Sequence, residues 1–274
     1  MQKGEDMIYW DTHMHTHFSG DCEISPEEMI ASAKNKKLKG ICLTDHLDYN
    51  YKEEPGLFDL DVTSYEMKIK QLQAVCPNNF DIRFGIEIGL QPHIVHINNE
   101  VTRTHDFDFV IGSSHVVHGM DPYYANFYEG KTEKEAYLEY FSSILENLET
   151  NADFDVYGHI DYVVRYGPNR NQFYSYKEYA DIIDTILTKL IEKGKGIEIN
   201  TGGFKYGLGH PNPTEEIIKR YCELGGEIIT VGADAHKPEH IAFDFQKVPA
   251  ILKDAGFKYY TVFKERKPVF LPLK

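Results

Sequence analysis

The sequence predicts an α/β fold: a single barrel of parallel strands wrapped by helices. Strand-like and helix-like segments alternate along the whole chain, which implies parallel pairing and right-handed crossovers. Histidine, aspartate or glutamate stands at the end of six of seven strand segments, where the βα loops of a barrel converge on a site. Neither Gly-x-Gly-x-x-Gly nor Gly-x-x-x-x-Gly-Lys-Ser/Thr occurs, so an open nucleotide-binding sheet has no support.

The first strand is expected from Met7 to His13. Ser25-Pro26-Glu27-Glu28 then reads as an N-cap, a proline at the first helical position and a capping-box glutamate, opening a helix to about Lys37. Gly40 to Thr44 is a short buried strand, followed by a loop rich in Tyr and Glu. A helix near Ser64 to Val75 leads to the strand Ile82 to Ile88, and Phe107 to Ser113 is the fourth strand. A long helix from Thr132 to Leu148, the strand Asp155 to Gly158, a helix from Tyr176 to Lys193 and the strand Gly196 to Asn200 come next. A helix from about Thr214 to Leu224 precedes the seventh strand, Glu227 to Gly232. Beyond a helix from Ile241 to Ala255, Lys258 to Phe263 adds a short extra strand.

The 274 residues suffice for a large core and no stretch marks a linker, so residues 1–274 are expected to form one domain. Cys22, Cys42, Cys76 and Cys222 are scattered without a Cys-x-x-Cys pair, which fits buried thiols rather than a disulfide framework or a thiolate zinc site. Residues 1–6 are acidic and lack the apolar core of a signal peptide, and no run of about 18 apolar residues occurs. A soluble, cytoplasmic protein is the expectation. The formal net charge of -14 argues against nucleic acid or an anionic membrane as partner, since both demand a basic face. A small anionic substrate stays open, because bound cations reverse the local field.

In Asp11-Thr12-His13-Met14-His15-Thr16-His17, histidines at i and i+2 of a strand point to one side, so strand one delivers His13 and His15 to one spot. Ser19-Gly20-Asp21 follows. Strand two ends in Thr44-Asp45-His46, strand three carries Glu87, strand four ends in Ser114-His115, and strand five in Gly158-His159-Ile160-Asp161. Strand seven ends in Asp234-Ala235-His236, repeating the opening spacing. Strand six, ending in Glu198-Ile199-Asn200-Thr201, offers no histidine, and strand three offers Glu87 in place of one. One such histidine is more often a hydrogen-bonded core or surface residue than a ligand; recurrence of His, Asp or Glu at six strand ends points to a metal site. Imidazole with carboxylate and no thiolate suits zinc, iron(II) or manganese. Six histidines and three acids exceed one four-coordinate centre, so two or three divalent ions are implied.

In this order, the motifs resemble the PHP (polymerase and histidinol phosphatase) superfamily, specifically the monofunctional histidinol-phosphate phosphatases of the HisJ/HisK type. The resemblance runs from about Met7 to beyond the seventh strand. It implies a distorted (β/α)7 TIM-like barrel with a trinuclear centre. His13, His15, Glu87 and Asp234 would hold one ion, Glu87 would bridge to a second held by His115 and His159, and Asp21, His46 and His236 would hold the third. In some relatives histidine replaces the aspartate at the position of Asp21. The activity implied is hydrolysis of L-histidinol phosphate to L-histidinol and phosphate, a step of histidine biosynthesis. The nucleophile would be a metal-bridging hydroxide, since coordination lowers the pKa of water to about 7.

Arg165, six residues after His159, is a candidate to grip phosphate oxygens with its planar fork; the alternative is a surface ion pair. His17 and His118 each follow a proposed ligand within three residues and are candidates to protonate the leaving alkoxide or contact phosphate, the alternative being solvated loop histidines. Asp161 and Asp48 are candidates for receiving the amine of histidinol. His93, His96, His105, His210 and His240 fall outside the motifs and read as structural or surface residues. Tyr49, Tyr51, Phe58, Tyr123, Tyr124, Phe127 and Tyr128 crowd the loops after strands two and four, as an aromatic wall for an imidazole or as loop packing.

Rival readings are the same barrel acting on a nucleotide, a sugar phosphate or phosphotyrosine, an amidohydrolase-type barrel cleaving an amide, and a non-catalytic metal-binding module such as those appended to DNA polymerases. Against the last, all nine candidate ligand positions carry competent side chains.

Overall fold

The computed structural model describes residues 7–273; the acidic residues 1–6 lie outside the described residues. Its strands are β1 (Trp10–Asp11), β2 (Gly40–Leu43), β3 (His46–Leu47), β4 (Asp81–Gly89), β5 (Phe109–Ser113), β6 (Val156–Tyr157), β7 (Gly196–Asn200) and β8 (Ile229–Gly232). All pair in parallel in the order β1-β2-β4-β5-β6-β7-β8, with β3 continuing the line of β2 along β4. Thr12 N donates to Val231 O (3.0 Å), Asp234 N to His13 O (2.9 Å) and His15 N to Ala235 O (2.9 Å), which joins the two ends of the sheet. The ring is therefore closed, and the predicted seven-unit α/β barrel forms.

The first strand is shorter than its apolar run suggested. After Asp11 the backbone bonds to both neighbours: Thr12 N and His15 N donate to the far end of the sheet, while Met14 O accepts from Thr44 N (2.9 Å) on the β2 side.

The helices are α1 (Pro26–Asn35), α2 (Val62–Val75), α3 (Val95–Thr104), α4 (Glu133–Leu148), α5 (Ala180–Glu192), α6 (Gly202–Lys205), α7 (Glu215–Glu223) and α8 (Val248–Ala255). The capping box read at Ser25 and Glu28 is present, and Thr132 with Glu135 forms a second one at α4. Each satisfies backbone N–H groups that a helix start leaves without partners. One continuous apolar core runs between these helices and the strands, from Ile8 to Val262.

Other elements depart from expectation as well. Helix α3 lies in a segment left unassigned because its buried face is polar: Asn98 donates to Gly89 O and Asn99 to Asn151 O. The helix expected from Ile241 starts only at Val248, after turns at Pro238–His240 and Phe245–Lys247 with Asp244 left-handed at φ 54°. The extra strand, β9 (Tyr259–Lys264), pairs antiparallel with an unexpected β10 (Lys267–Pro272). Their two-residue turn puts Glu265 and Arg266 at φ 49° and 61°, a hairpin geometry that Asn-Gly usually signals and this sequence does not.

From that hairpin Phe263 stacks on Phe109, ring centroids 5.0 Å apart, within a small cluster that includes Cys42, Ile111 and Val156. Arg266 fastens the hairpin to Asp155 (2.6 Å) and Asp153 (3.0 Å). The hairpin thus plugs the N-terminal end of the barrel and leaves the C-terminal end as the open one.

Candidate metal centre

At the centre of the barrel, on β4, lies the carboxylate of Glu87, fully buried. Its Oε2 faces His13 Nε2 (3.1 Å), His46 Nδ1 (3.2 Å) and His15 Nε2 (3.5 Å). Its Oε1 faces His159 Nε2 (2.9 Å) and His115 Nε2 (3.3 Å), and accepts from Ser113 Oγ (2.6 Å). One carboxylate therefore stands between two groups of imidazoles. Asp234, left-handed at φ 53°, holds Oδ1 3.3 Å from His15 Nε2. Nearer the mouth, Asp21 Oδ2 is 3.0 Å from His236 Nε2 and 3.8 Å from His46 Nε2. The ring of His15 lies near parallel to those of His46 (centroids 4.1 Å) and His236 (4.2 Å), which are themselves 6.0 Å apart.

The residues fit divalent metal. Four overlapping trios bring one ligand atom each to within 4.8 Å of one another: His13-His15-Glu87, His46-Glu87-His115, His13-His159-Asp234 and His15-His46-His236. These trios share members across the three ligand sets that the resemblance implied, and Asp21 joins only through its contacts with His236 and His46. His13 Nε2 and His15 Nε2 face each other at 3.1 Å, and His159 Nδ1 is buried without a hydrogen-bond partner. Buried nitrogen and oxygen donors crowded this closely suit a divalent metal ion. The nearby thiol of Cys22 points elsewhere, at the carbonyls of His15 and His236, and burial pushes it up to about 11.

Charge inside the cluster is balanced by imidazolium. Burial opposes protonation of His46, but Glu87 and Asp21 outweigh it and raise the ring to about 9. Against the same penalty, Glu198 and Glu87 hold His13 high, and Asp48 and Glu87 hold His115 high. Burial, together with His46 and His236, pushes His15 well down. Burial would raise Glu87 and Asp234, yet the surrounding cations, His13 foremost, keep both ionised.

The candidate ligands are themselves held by groups to which the sequence reading gave no such part. Glu198 Oε1 meets His13 Nδ1 at 2.6 Å, while its Oε2 accepts from His159 N (3.1 Å) and Asn200 Nδ2 (3.0 Å). The strand without a histidine thus supplies the acid that orients one, and its position at a strand end was the available signal. Asp48, expected to receive an amine, is 2.8 Å from His115 Nδ1 instead. Asp161, given the same expectation, is fully buried and accepts from Asn212 Nδ2 (2.6 Å) and Thr214 N (3.2 Å).

Arg165 is neither exposed nor a surface pair. It is 2% exposed, with Nη1 on Asp234 Oδ2 (2.8 Å), Nη2 on Asn200 Oδ1 (2.9 Å) and Nε on Asn212 Oδ1 (2.8 Å), and it still lines the cavity. His17 and His118 are not brought to the site. His17 is exposed and stacks on Phe18 (4.8 Å). His118, left-handed at φ 51°, lies between Glu139 (3.2 Å) and Glu146 (3.0 Å) of α4. Of the histidines set aside, His240 does line the cavity.

That cavity, about 500 Å³, opens over the cluster. Tyr51, Phe58, Tyr123 and Tyr124 line it, whereas Phe127 and Tyr128 are packed in the core. The loop aromatics thus divide between cavity lining and core packing.

The PHP domain family model matches residues 11–202. "Probable histidinol-phosphatase" of Clostridium acetobutylicum is 33% identical over 260 residues, covering 95% of this chain and 98% of the relative. "Histidinol-phosphatase" of Lactococcus lactis subsp. lactis is 32% identical over 262 residues, covering 94% and 95%. The crystal structure of histidinol phosphate phosphatase from that organism, complexed with zinc, L-histidinol and phosphate, aligns with a TM-score of 0.88 over 95% of this chain and 98% of that one. A Listeria monocytogenes structure at 17% identity and TM-score 0.76, covering 87% of this chain and 99% of that one, supports the fold. With its barrel, its buried imidazole and carboxylate cluster and these relatives, the chain belongs to the PHP domain family.

Proposed function

We propose that this chain is a metal-dependent phosphomonoesterase that hydrolyses L-histidinol phosphate to L-histidinol and inorganic phosphate. The observation that carries the reading is Glu87, set between two groups of imidazoles at the base of the cavity. Two or three ions are proposed, zinc, manganese or iron(II), with His13, His15, Asp21, His46, His115, His159, Asp234 and His236 as the other ligands. When bound, such ions neutralise phosphoryl charge and lower the pKa of water toward neutrality.

The chain's own residues supply position and charge. Glu198 and Asp48 orient the rings of His13 and His115 through their Nδ1 atoms, leaving Nε2 directed at the centre. Arg165 fixes Asp234 and keeps its remaining N–H groups for a phosphate oxygen in the cavity. Four free cysteines accord with a cytoplasmic setting, which we include in the proposal.

The test is steady-state phosphate release after reconstitution with Zn, Mn or Fe(II), with metal content measured on the same samples. The panel contains histidinol phosphate, a nucleotide, a sugar phosphate and phosphotyrosine. Highest kcat/KM on histidinol phosphate is expected; poor turnover of it by a metal-filled protein that cleaves another ester would reject the named substrate and keep the class.

A further inference from the structure

The cavity mouth is electrically divided. Apart from the ligand candidates, its acidic lining groups, Asp48, Glu54 and Asp121, come from the loops that follow β3 and β5. Its basic groups Arg165, Lys205 and Lys237 come from the segments that follow β6, β7 and β8. Because strands succeed one another round the barrel in that order, the two sets occupy separate arcs.

Asp48 is engaged by His115, which leaves Asp121 and Glu54 as the acidic functions open to a ligand. Asp121 is 5% exposed and accepts from Tyr123 N (2.7 Å) and Tyr51 Oη (2.8 Å), with Tyr162 Oη at 3.4 Å. Glu54 accepts from Tyr124 Oη at 3.0 Å. Among the described residues neither carboxylate has an ion-pair partner within 4 Å, and His115, itself bonded to Asp48, acts on Asp121 only from a distance. A nearly buried carboxylate with no cation of its own, set among tyrosine rings, is a receptor for an ammonium or imidazolium group, through a charge-assisted hydrogen bond and cation–π contact.

We propose that Asp121, supported by Glu54, selects phosphate monoesters that carry a cationic group, holding that cation on the acidic arc while the phosphate faces the basic one. The inference rests on the phosphoesterase reading of the site. It adds that charge separation across the mouth sorts substrates within the class, admitting zwitterionic esters ahead of purely anionic ones.

The test compares the metal-reconstituted protein with its Asp121→Asn and Glu54→Gln variants on aminopropyl phosphate and on propyl phosphate. The unaltered protein is expected to favour the amine-bearing ester in kcat/KM by about tenfold or more, the scale of one charged hydrogen bond. Asp121→Asn removes most of that ratio by raising KM for the amine-bearing ester, and Glu54→Gln removes a smaller part. A ratio near one in the unaltered protein, or a ratio untouched in both variants, overturns the proposal. If Asp121→Asn does not fold, the unaltered protein's ratio and the exposed Glu54 position decide it. Phosphate release from neither ester, nor from histidinol phosphate, overturns the phosphoesterase reading and this proposal with it.

Discussion

Glu198 Oε1 stands 2.6 Å from His13 Nδ1, joining the sixth strand of the barrel to the first ligand candidate of the chain. A ring that donates Nδ1–H to a carboxylate presents its Nε2 lone pair to a metal and is the stronger base for it. Glu198→Gln should therefore weaken metal binding by about 10- to 100-fold. Competition against a chromophoric chelator measures this, and an unchanged affinity would strip Glu198 of the role.

Metal loading should release protons. In the metal-free protein His46 is raised to about 9, and His13 and His115 are also raised, so at pH 7 these rings are charged. Ligation requires them neutral, so affinity should climb as pH rises toward about 9. For the metal-free fold the sign is opposite. His46, raised above its ordinary 6.5, contributes its full stability below that pH and loses it as pH climbs through about 9. Calorimetric titration in two buffers of different ionisation enthalpy reads the proton count, and zero protons released at pH 7 would contradict the assignment.

Arg165→Ala should cost the metal-free protein roughly 3–5 kcal/mol, because it removes a buried ion pair with Asp234 and leaves Asn200 Oδ1 and Asn212 Oδ1 without that donor. The position of Arg165 in its loop suggested a largely kinetic defect; its burial makes the folding defect at least as large. Urea denaturation gives the first quantity and KM for phosphate esters the second. A variant of undiminished stability would mean that Asp234 does not depend on the pair.

His17→Ala and His118→Ala should each leave stability within about 0.5 kcal/mol and the pH–rate profile unchanged, as surface substitutions away from the cavity do. A turnover defect in either would return that histidine to the reaction.

Phe263→Ala should destabilise the fold by roughly 3–5 kcal/mol, since it empties the barrel floor where the ring meets Phe109. The midpoint of urea unfolding reports it. A shift below 1 kcal/mol would show that the floor can collapse around the gap.

Periodicity and caps made most of the barrel legible: the Ser25 box, the strand Gly196–Asn200 and the alternation of strand and helix all survive in the structure. Helix α3 escaped because asparagines bury their amides against carbonyls, a face that hydrophobic patterning cannot register. The hairpin of β9 and β10 escaped because its turn uses left-handed Glu265 and Arg266 in place of glycine or asparagine. At the site, residue type and strand-end position pointed to the ligand candidates, but chain proximity misled for His17 and His118. Direction decided those two: the first turns to solvent and the second to α4.

The seam between β1 and β8 links residues 219 positions apart, and candidate ligands sit on both sides of it. Until the last barrel strand docks, His13 and Asp234 belong to a chain whose ends are free, and the entropy of bringing them together is unmet. A chain that emerges with His13 first has made seven of its nine candidate ligands before β8, and the trios His13-His15-Glu87 and His46-Glu87-His115 need nothing from beyond it; Asp234 and His236 alone wait for the ring to close.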